Sequence, residues 1–376
     1  MDTRLIVDAH LDIAWNAVSF DRDQLLSVRE LRAAEAGMTG KSRGRCTVSL
    51  PEMRRAGVAV CLATLLARAL PQQGAAISEG VGAAGDRKRG QVIVREDLDY
   101  ANQTIACAAA QAQLAYYNLL EQQGHLLRIR DATMLNQLWR RWRSEREAVP
   151  PIGYILSMEG TDPIIDPSQA EWWWEQGLRT ACLAHYGPSA HAMGTGGNGP
   201  LTPKGRELLR EFDHLGMILD LVHTADDAFD EALSIFHGPV FVSHGNCRSL
   251  VPHDRQLSDG QIQRIVERQG VIGVVCDAWM IVPGYEKGSG NRKVTLAALA
   301  DHIDHVCQLA GNTSHVGIGS DLDGGFGTEQ TPRELDTIAD LHRLIPLLAD
   351  RGYSGEDVDA ILHGNWLRFF GESLPK

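Results

Sequence analysis

The chain has 376 residues, 44% hydrophobic and 22% charged, enough for a large core built as one big domain or two smaller ones. Its formal charge of -12 argues against a nucleic-acid or anionic-membrane partner, since both call for a basic footprint. Seven scattered cysteines without a CxxC pair argue against a disulfide scaffold and suit a reduced protein. No signal-like leader or bilayer-length apolar run is evident, so a cytoplasmic location is expected.

Along the chain, eight apolar runs read as strands: 4–9, 58–66, 152–158, 179–184, 217–222, 239–243, 271–276 and 315–320. Most are rich in Val, Ile and Leu on both alternations, as when both faces of a parallel strand are covered. After the second run comes a Gly-rich stretch (Gly74, Gly80, Gly82, Gly85, Gly90), which reads as a lid or a plain surface loop. An amphipathic helix over about 96–123 follows. A basic helix at about 135–146 comes next, and its Trp139 and Trp142 read as packing residues. Further helices are expected at 201–215, between Thr202-Pro203 and Gly216, and at 258–269, between Ser258-Asp259 and Gly270. Two more are expected at 296–309 and 331–351. Strand–helix alternation implies a parallel sheet, and eight units favour closure. The expected fold is α/β: a single (β/α)8 TIM-barrel domain over 1–376, with an insertion of about 67–150 after strand 2.

The ends of these strands carry the chemistry. His10 and Asp12 form an HxD at the end of the first, and residues at i and i+2 of an extended segment share a face. Glu159 ends the third, where a carboxylate is costly to bury unless paired or metal-bound. His185, His223 and His244 follow the next three. His125, His302, His305 and His342 fall on predicted helices and read as solvent-facing or capping. Any one histidine is more often a satisfied core residue than a ligand. Three histidines (His10, His223, His244) and two acids converging on one barrel face point to metal, because neutral imidazole is the commonest ligand for zinc-like ions.

Five ligands exceed what a mononuclear catalytic zinc takes while keeping an open position. A bridging Glu159 would divide them, with His10, Asp12 and Glu159 on one ion and Glu159, His223 and His244 on the other. Two such ions share a hydroxide and clamp the transition state. Asp321, after the last strand, is placed to be general base and acid beside it. Asp323 reads as part of a turn. The expected cofactors are two divalent ions, Zn2+ by the donor set.

These residues resemble the membrane (renal-type) dipeptidase family, the M19 zinc peptidases of the amidohydrolase superfamily. The blocks that carry the resemblance are Val7-Asp8-Ala9-His10-Leu11-Asp12, Met158-Glu159-Gly160, Leu201-Thr202-Pro203-Lys204-Gly205-Arg206-Glu207-Leu208 and Gly216-Met217-Ile218-Leu219-Asp220-Leu221-Val222-His223. They continue with Ser243-His244-Gly245-Asn246-Cys247-Arg248, His253-Asp254-Arg255-Gln256-Leu257-Ser258-Asp259, the stretch 317–324 and Gly364-Asn365-Trp366-Leu367-Arg368. The resemblance implies the same metal split and a dipeptide substrate, and leaves open a D-residue at the second position. It implies that His185 polarises the scissile carbonyl and stabilises the oxyanion, and that Arg255 holds a substrate carboxylate or assists the oxyanion. Asp321 would then take a proton from the nucleophile and pass it to the leaving amine.

The chain departs from the family pattern around the substrate. Leu11 stands where the family often has Asn, and 62–68, ending in Arg68, replaces an aromatic-bearing segment. Tyr186-Gly187-Pro188 replaces an Asn-rich continuation. Arg68 reads either as a solvated loop residue or as a partner for an acidic substrate side chain. The rival readings are a related amidohydrolase acting on N-acyl amino acids, lactams or lactones, and a non-catalytic metal-binding protein. No nucleic-acid partner or membrane anchor is expected, and a homodimer is left open.

Overall fold

Eight parallel strands close into a barrel in the computed structural model, which describes residues 4–70, 98–144 and 150–376. They are β1 (Ile6–Leu11), β2 (Val58–Leu66), β3 (Ile152–Glu159), β4 (Leu178–Cys182), β5 (Ile218–Asp220), β6 (Val240–Phe241), β7 (Ile272–Val274) and β8 (Val316–Ile318). Each of the eight expected strands is present. Neighbours pair in parallel from β1 to β6, and β8 pairs with both β7 and β1. The seam between β6 and β7 is closed by the parallel bridge Val242–Ile272, where Gly273 N donates to Val242 O at 2.8 Å. A Cβ on Gly273 or Gly319 would lie under 2 Å from the Ser243 carbonyl oxygen, so only glycines let β7 and β8 approach β6 this closely.

Val7, Val60, Leu62, Ile155, Ile218 and Phe241 meet in one buried cluster with Trp366, Phe369 and Phe370. Residues from five strands in a single cluster mark the barrel interior. The C-terminal helix Asn365–Ser373 stops it, with Asn365 donating to Val316 O at 2.7 Å and Trp366 Nε1 to Ile318 O at 2.9 Å. A larger apolar cluster lies between the strands and the surrounding helices.

The helices follow their caps. Pro203–Leu215 opens on Thr202, whose side chain accepts from Gly205 N, and ends at left-handed Gly216. Asp259–Glu267 opens on a Ser258–Gln261 capping box, and Leu296–Ala310 on Thr295. Within the expected insertion, the first helix is Gln103–Gln122, shorter than 96–123. Asn102 caps it, and Asp99–Tyr100 is instead a short strand paired with Arg68–Ala69. The second helix is Ala132–Ser144; Trp139 and Trp142 pack against a buried apolar cluster, as expected of them, and Trp142 Nε1 donates to Pro151 O at 3.0 Å. The Gly-rich stretch from Gly74 to Gly90 lies outside the described residues.

Three expectations need correction. Residues 331–351 are not one helix. A 3-10 turn, Ile338–Arg343, opens on Thr337 and continues into Leu344–Asp350, while the segment around Pro332 is tied to Val294 O through Arg333 N. His302 does not face solvent. It is fully buried, its Nδ1 accepting from Cys247 N at 3.1 Å and its Nε2 lying 3.1 Å from Ile281 O. His125 sits just before the short strand Leu126–Arg128, not on a helix.

Candidate metal centre

His10, Asp12, Glu159, His185, His223, His244 and Asp321 all stand at or just beyond the C-terminal ends of barrel strands, and the closed sheet gathers them at one face. His223 and Asp321 hold left-handed backbone, at φ 59° and 55°, a conformation that costs energy for residues with a Cβ. The strands turn sharply there and aim both side chains inward.

Glu159 is the hub. Its Oε1 lies 3.2 Å from His223 Nε2, 3.5 Å from His244 Nε2 and 3.7 Å from His185 Nε2. Its Oε2 lies 3.5 Å from His10 Nε2. Asp12 Oδ1 and Asp321 Oδ1 are each 3.8 Å from that same nitrogen. Ligand atoms fall within 4.8 Å of one another in three sets: His10, Asp12 and Glu159; Glu159, His185 and His223; and His10, His244 and Asp321. Asp321 has the most exposed of these side chains, at 14%.

Polar partners orient the candidate ligands. Thr64 Oγ1 donates to Asp12 in a short hydrogen bond. Thr195 Oγ1 lies 3.0 Å from His223 Nδ1, and Ser243 Oγ 3.0 Å from His244 Nδ1. Both contacts leave Nε2 pointing at Glu159. Arg255 is buried and its Nη2 donates to His244 O at 3.0 Å. Asp323 accepts from Thr47 N, Thr47 Oγ1 and Val48 N, the structural part expected of it.

The electrostatics fit cations. Among the described residues, His10 Nε2 is buried without a hydrogen-bond partner, a costly state for a nitrogen that is no ligand. Burial, helped by the Arg255 charge, holds His223 well below the ordinary histidine range, and burial with the nearby His10 does the same for His244. Both are therefore neutral donors. His10 is raised despite its burial, because the carboxylates of Glu159 and Asp12 favour its charged form. Burial pushes Asp321 well above the usual carboxylate range, and Asp12 and Glu159 add to this against the pull of His10. Three carboxylates crowded around imidazoles are relieved by divalent charge, and mixed nitrogen and oxygen donors suit Zn2+.

Several residues that build the site were not singled out from the sequence. Asp8 accepts from Ser320 N and Oγ, and Asp220 Oδ1 from Ser243 N at 3.0 Å. Each carboxylate pins the residue just before a site side chain, Asp321 or His244. Their signal was a carboxylate inside an otherwise apolar strand. Arg68 is not a solvated loop residue; its Nε donates to Asp99 Oδ1 at 2.6 Å and its Nη1 lies 3.3 Å from His185 Nδ1.

The family model described as membrane dipeptidase (peptidase family M19) matches residues 1–374. An uncharacterized dipeptidase of Schizosaccharomyces pombe is 31% identical over 222 residues, 58% of this chain and 52% of that protein. The dipeptidase aclJ of Aspergillus oryzae is 31% identical over 226 residues, 59% of this chain and 51% of that one. The matches thus span about half the length of these relatives. Among solved structures, a metallopeptidase called dipeptidase AC superposes with a TM-score of 0.77 at 20% identity, over 100% of both chains. A metallopeptidase from Rhodobacter sphaeroides, liganded with a phosphinate mimic of L-Ala-D-Ala, superposes at 0.75 and 20% identity, over 99% of this chain and 100% of that one. At such identities the likeness speaks for the barrel fold.

Proposed function

The chain belongs to the membrane dipeptidase family, peptidase family M19, and from that premise we propose that it is a dipeptidase working with two divalent metal ions. The observation that carries the reading is the division of Glu159, with Oε2 toward His10 and Oε1 toward His223 and His244. His10, Asp12 and Glu159 would hold one ion, and Glu159, His223 and His244 the other. When bound, two Zn2+ ions supply Lewis-acid activation of water and of the scissile carbonyl.

The chain's own residues do the rest. His185 offers a hydrogen bond to the carbonyl oxygen as negative charge develops there. Arg255, anchored on the His244 carbonyl oxygen, meets the substrate's free carboxylate with the remainder of its guanidinium. Asp321 takes a proton from the attacking water as the C–O bond forms. It returns that proton to the amine nitrogen as the C–N bond breaks. The phosphinate mimic of L-Ala-D-Ala held by the Rhodobacter sphaeroides metallopeptidase supports a dipeptide substrate and a D-residue at its second position. One domain, with 67–150 inserted after β2, is part of the proposal. So is a cytoplasmic location, which the free, largely buried cysteines favour; among the described residues, no helix is long and apolar enough to cross a membrane.

Metal analysis tests the centre. Zinc reconstitution should give two ions per chain, and Glu159→Gln should loosen both, because an amide supplies no bridging charge. One ion per chain under metal excess would overturn the shared-carboxylate assignment.

A further inference from the structure

We propose that Arg68 is a positioning residue that fixes the hydrogen of His185 on Nε2, so that His185 presents an N–H donor to the site and not a lone pair. The catalytic meaning of this rests on the dipeptidase reading above; the geometry does not.

Arg68 follows β2 on the short strand Arg68–Ala69, and its backbone is tied down on both sides. Arg68 N donates to Leu98 O at 3.0 Å, Leu70 N to Tyr100 O at 2.8 Å and Ala69 N to Asp162 Oδ2 at 2.9 Å. The side chain is tied as well, since the buried Asp99 carboxylate receives its Nε at 2.6 Å. What remains of the fork reaches His185, placing Nη1 3.3 Å from Nδ1. A guanidinium has donors only and keeps its charge at any working pH. The Nδ1 it meets must therefore accept with its lone pair. A neutral imidazole then carries its hydrogen on Nε2, the nitrogen that faces the centre 3.7 Å from Glu159 Oε1.

The contrast with the neighbouring histidines is chemical. The Nδ1 atoms of His223 and His244 meet the hydroxyls of Thr195 and Ser243, which can accept a hydrogen and leave Nε2 as a lone pair for metal. His185 lies close enough to Glu159 and His223 to complete a metal triad by distance alone. The partner on the far side of the ring separates the two chemistries: a hydroxyl makes a ligand, and a guanidinium makes a donor. Arg68, its charge shared with Asp99, thus serves His185 and not an acidic substrate side chain.

Long-range 1H–15N spectra of 15N-histidine-labelled protein, in the metal-free and zinc-loaded forms, test this directly, with His185 assigned by its loss in His185→Gln. Wild-type His185 should show a neutral ring protonated on Nε2. Arg68→Met/Asp99→Asn removes the donor without leaving a buried unpaired carboxylate. It should mix the tautomers and lower kcat about 10- to 100-fold with KM little changed, as for other outer partners of a site. Arg68→Lys, which keeps a donor, should recover part of both effects. A wild-type His185 protonated on Nδ1, or a double variant with unchanged tautomer and kcat, would overturn the proposal. The wild-type spectrum needs no substrate. If it shows Nε2–H while no dipeptide is cleaved, the dipeptidase reading falls and the positioning role stands.

Discussion

The carboxylate of Asp8 on β1 accepts from both the backbone N–H and the hydroxyl of Ser320, at 2.9 and 2.5 Å, across the pairing with β8. Ser320 precedes Asp321, and Asp8 Oδ1 also accepts from His10 N at 3.3 Å, so this one carboxylate helps set where the proposed general base and a candidate metal ligand stand. Asp8→Ala would strand the buried N–H groups of Ser320 and His10 and the Ser320 hydroxyl, costing about 1–3 kcal/mol for each group left unpaired, and would also lower turnover by freeing Asp321. Asp8→Asn, which keeps an acceptor, should cost less on both counts. Urea unfolding paired with kcat checks this; full activity in a destabilised Asp8→Ala would detach Asp8 from the site.

Asp321→Asn should leave metal content intact and reduce turnover by about 10²–10⁴-fold, the usual size of a general acid–base contribution. Asparagine keeps the shape but cannot carry the proton. Near-normal turnover would mean that the proton leaves by another route.

Arg255 should be read through substrate charge. A free dipeptide should be cleaved far better than its C-terminal amide, because only the former offers a carboxylate to the guanidinium. Arg255→Met should erase most of that preference while retaining both metals. Equal rates for acid and amide on the wild-type protein would leave Arg255 no part in carboxylate recognition.

His302 makes a prediction about stability. Burial pushes it down to about 4, and protonating Nδ1 would break the hydrogen bond from Cys247 N. The unfolded chain takes that proton near pH 6.5, the folded protein only near 4. The group's contribution is therefore whole above pH 6.5, falls as pH drops toward 4 and is level below. By linkage the loss is on the order of 3 kcal/mol. Urea midpoints measured between pH 7 and 4 should fall less steeply in His302→Gln than in the wild type. Parallel curves would exclude His302 from the acid limb.

The barrel was legible because every strand is covered on both faces, which turns a parallel strand into a plain apolar run. The cluster of candidate ligands was legible because each run ends in a residue that is expensive to bury. Neither signal reaches the orienting partners. Thr195 on His223 and Arg68 on His185 act across turns and loops whose course no periodicity encodes, and Ser243, next to His244, reads as one more strand residue. Asp8 and Asp220 left a trace, as carboxylates inside apolar strands. The overlong helices at 96–123 and 331–351 fail for local reasons: Asn102 and Thr337 start the helical turns later than the pattern does, and Asp99 pairs as strand.

The most direct measurement is hydrolysis of a free dipeptide library, with L- and D-residues at the second position, by zinc-loaded protein, by the same protein after chelation, and after zinc is restored. The account predicts cleavage of dipeptides, its loss with the metal and its return with zinc. A folded, two-zinc protein that cleaves N-acyl amino acids but no dipeptide, or dipeptide cleavage that survives complete metal removal, would contradict it.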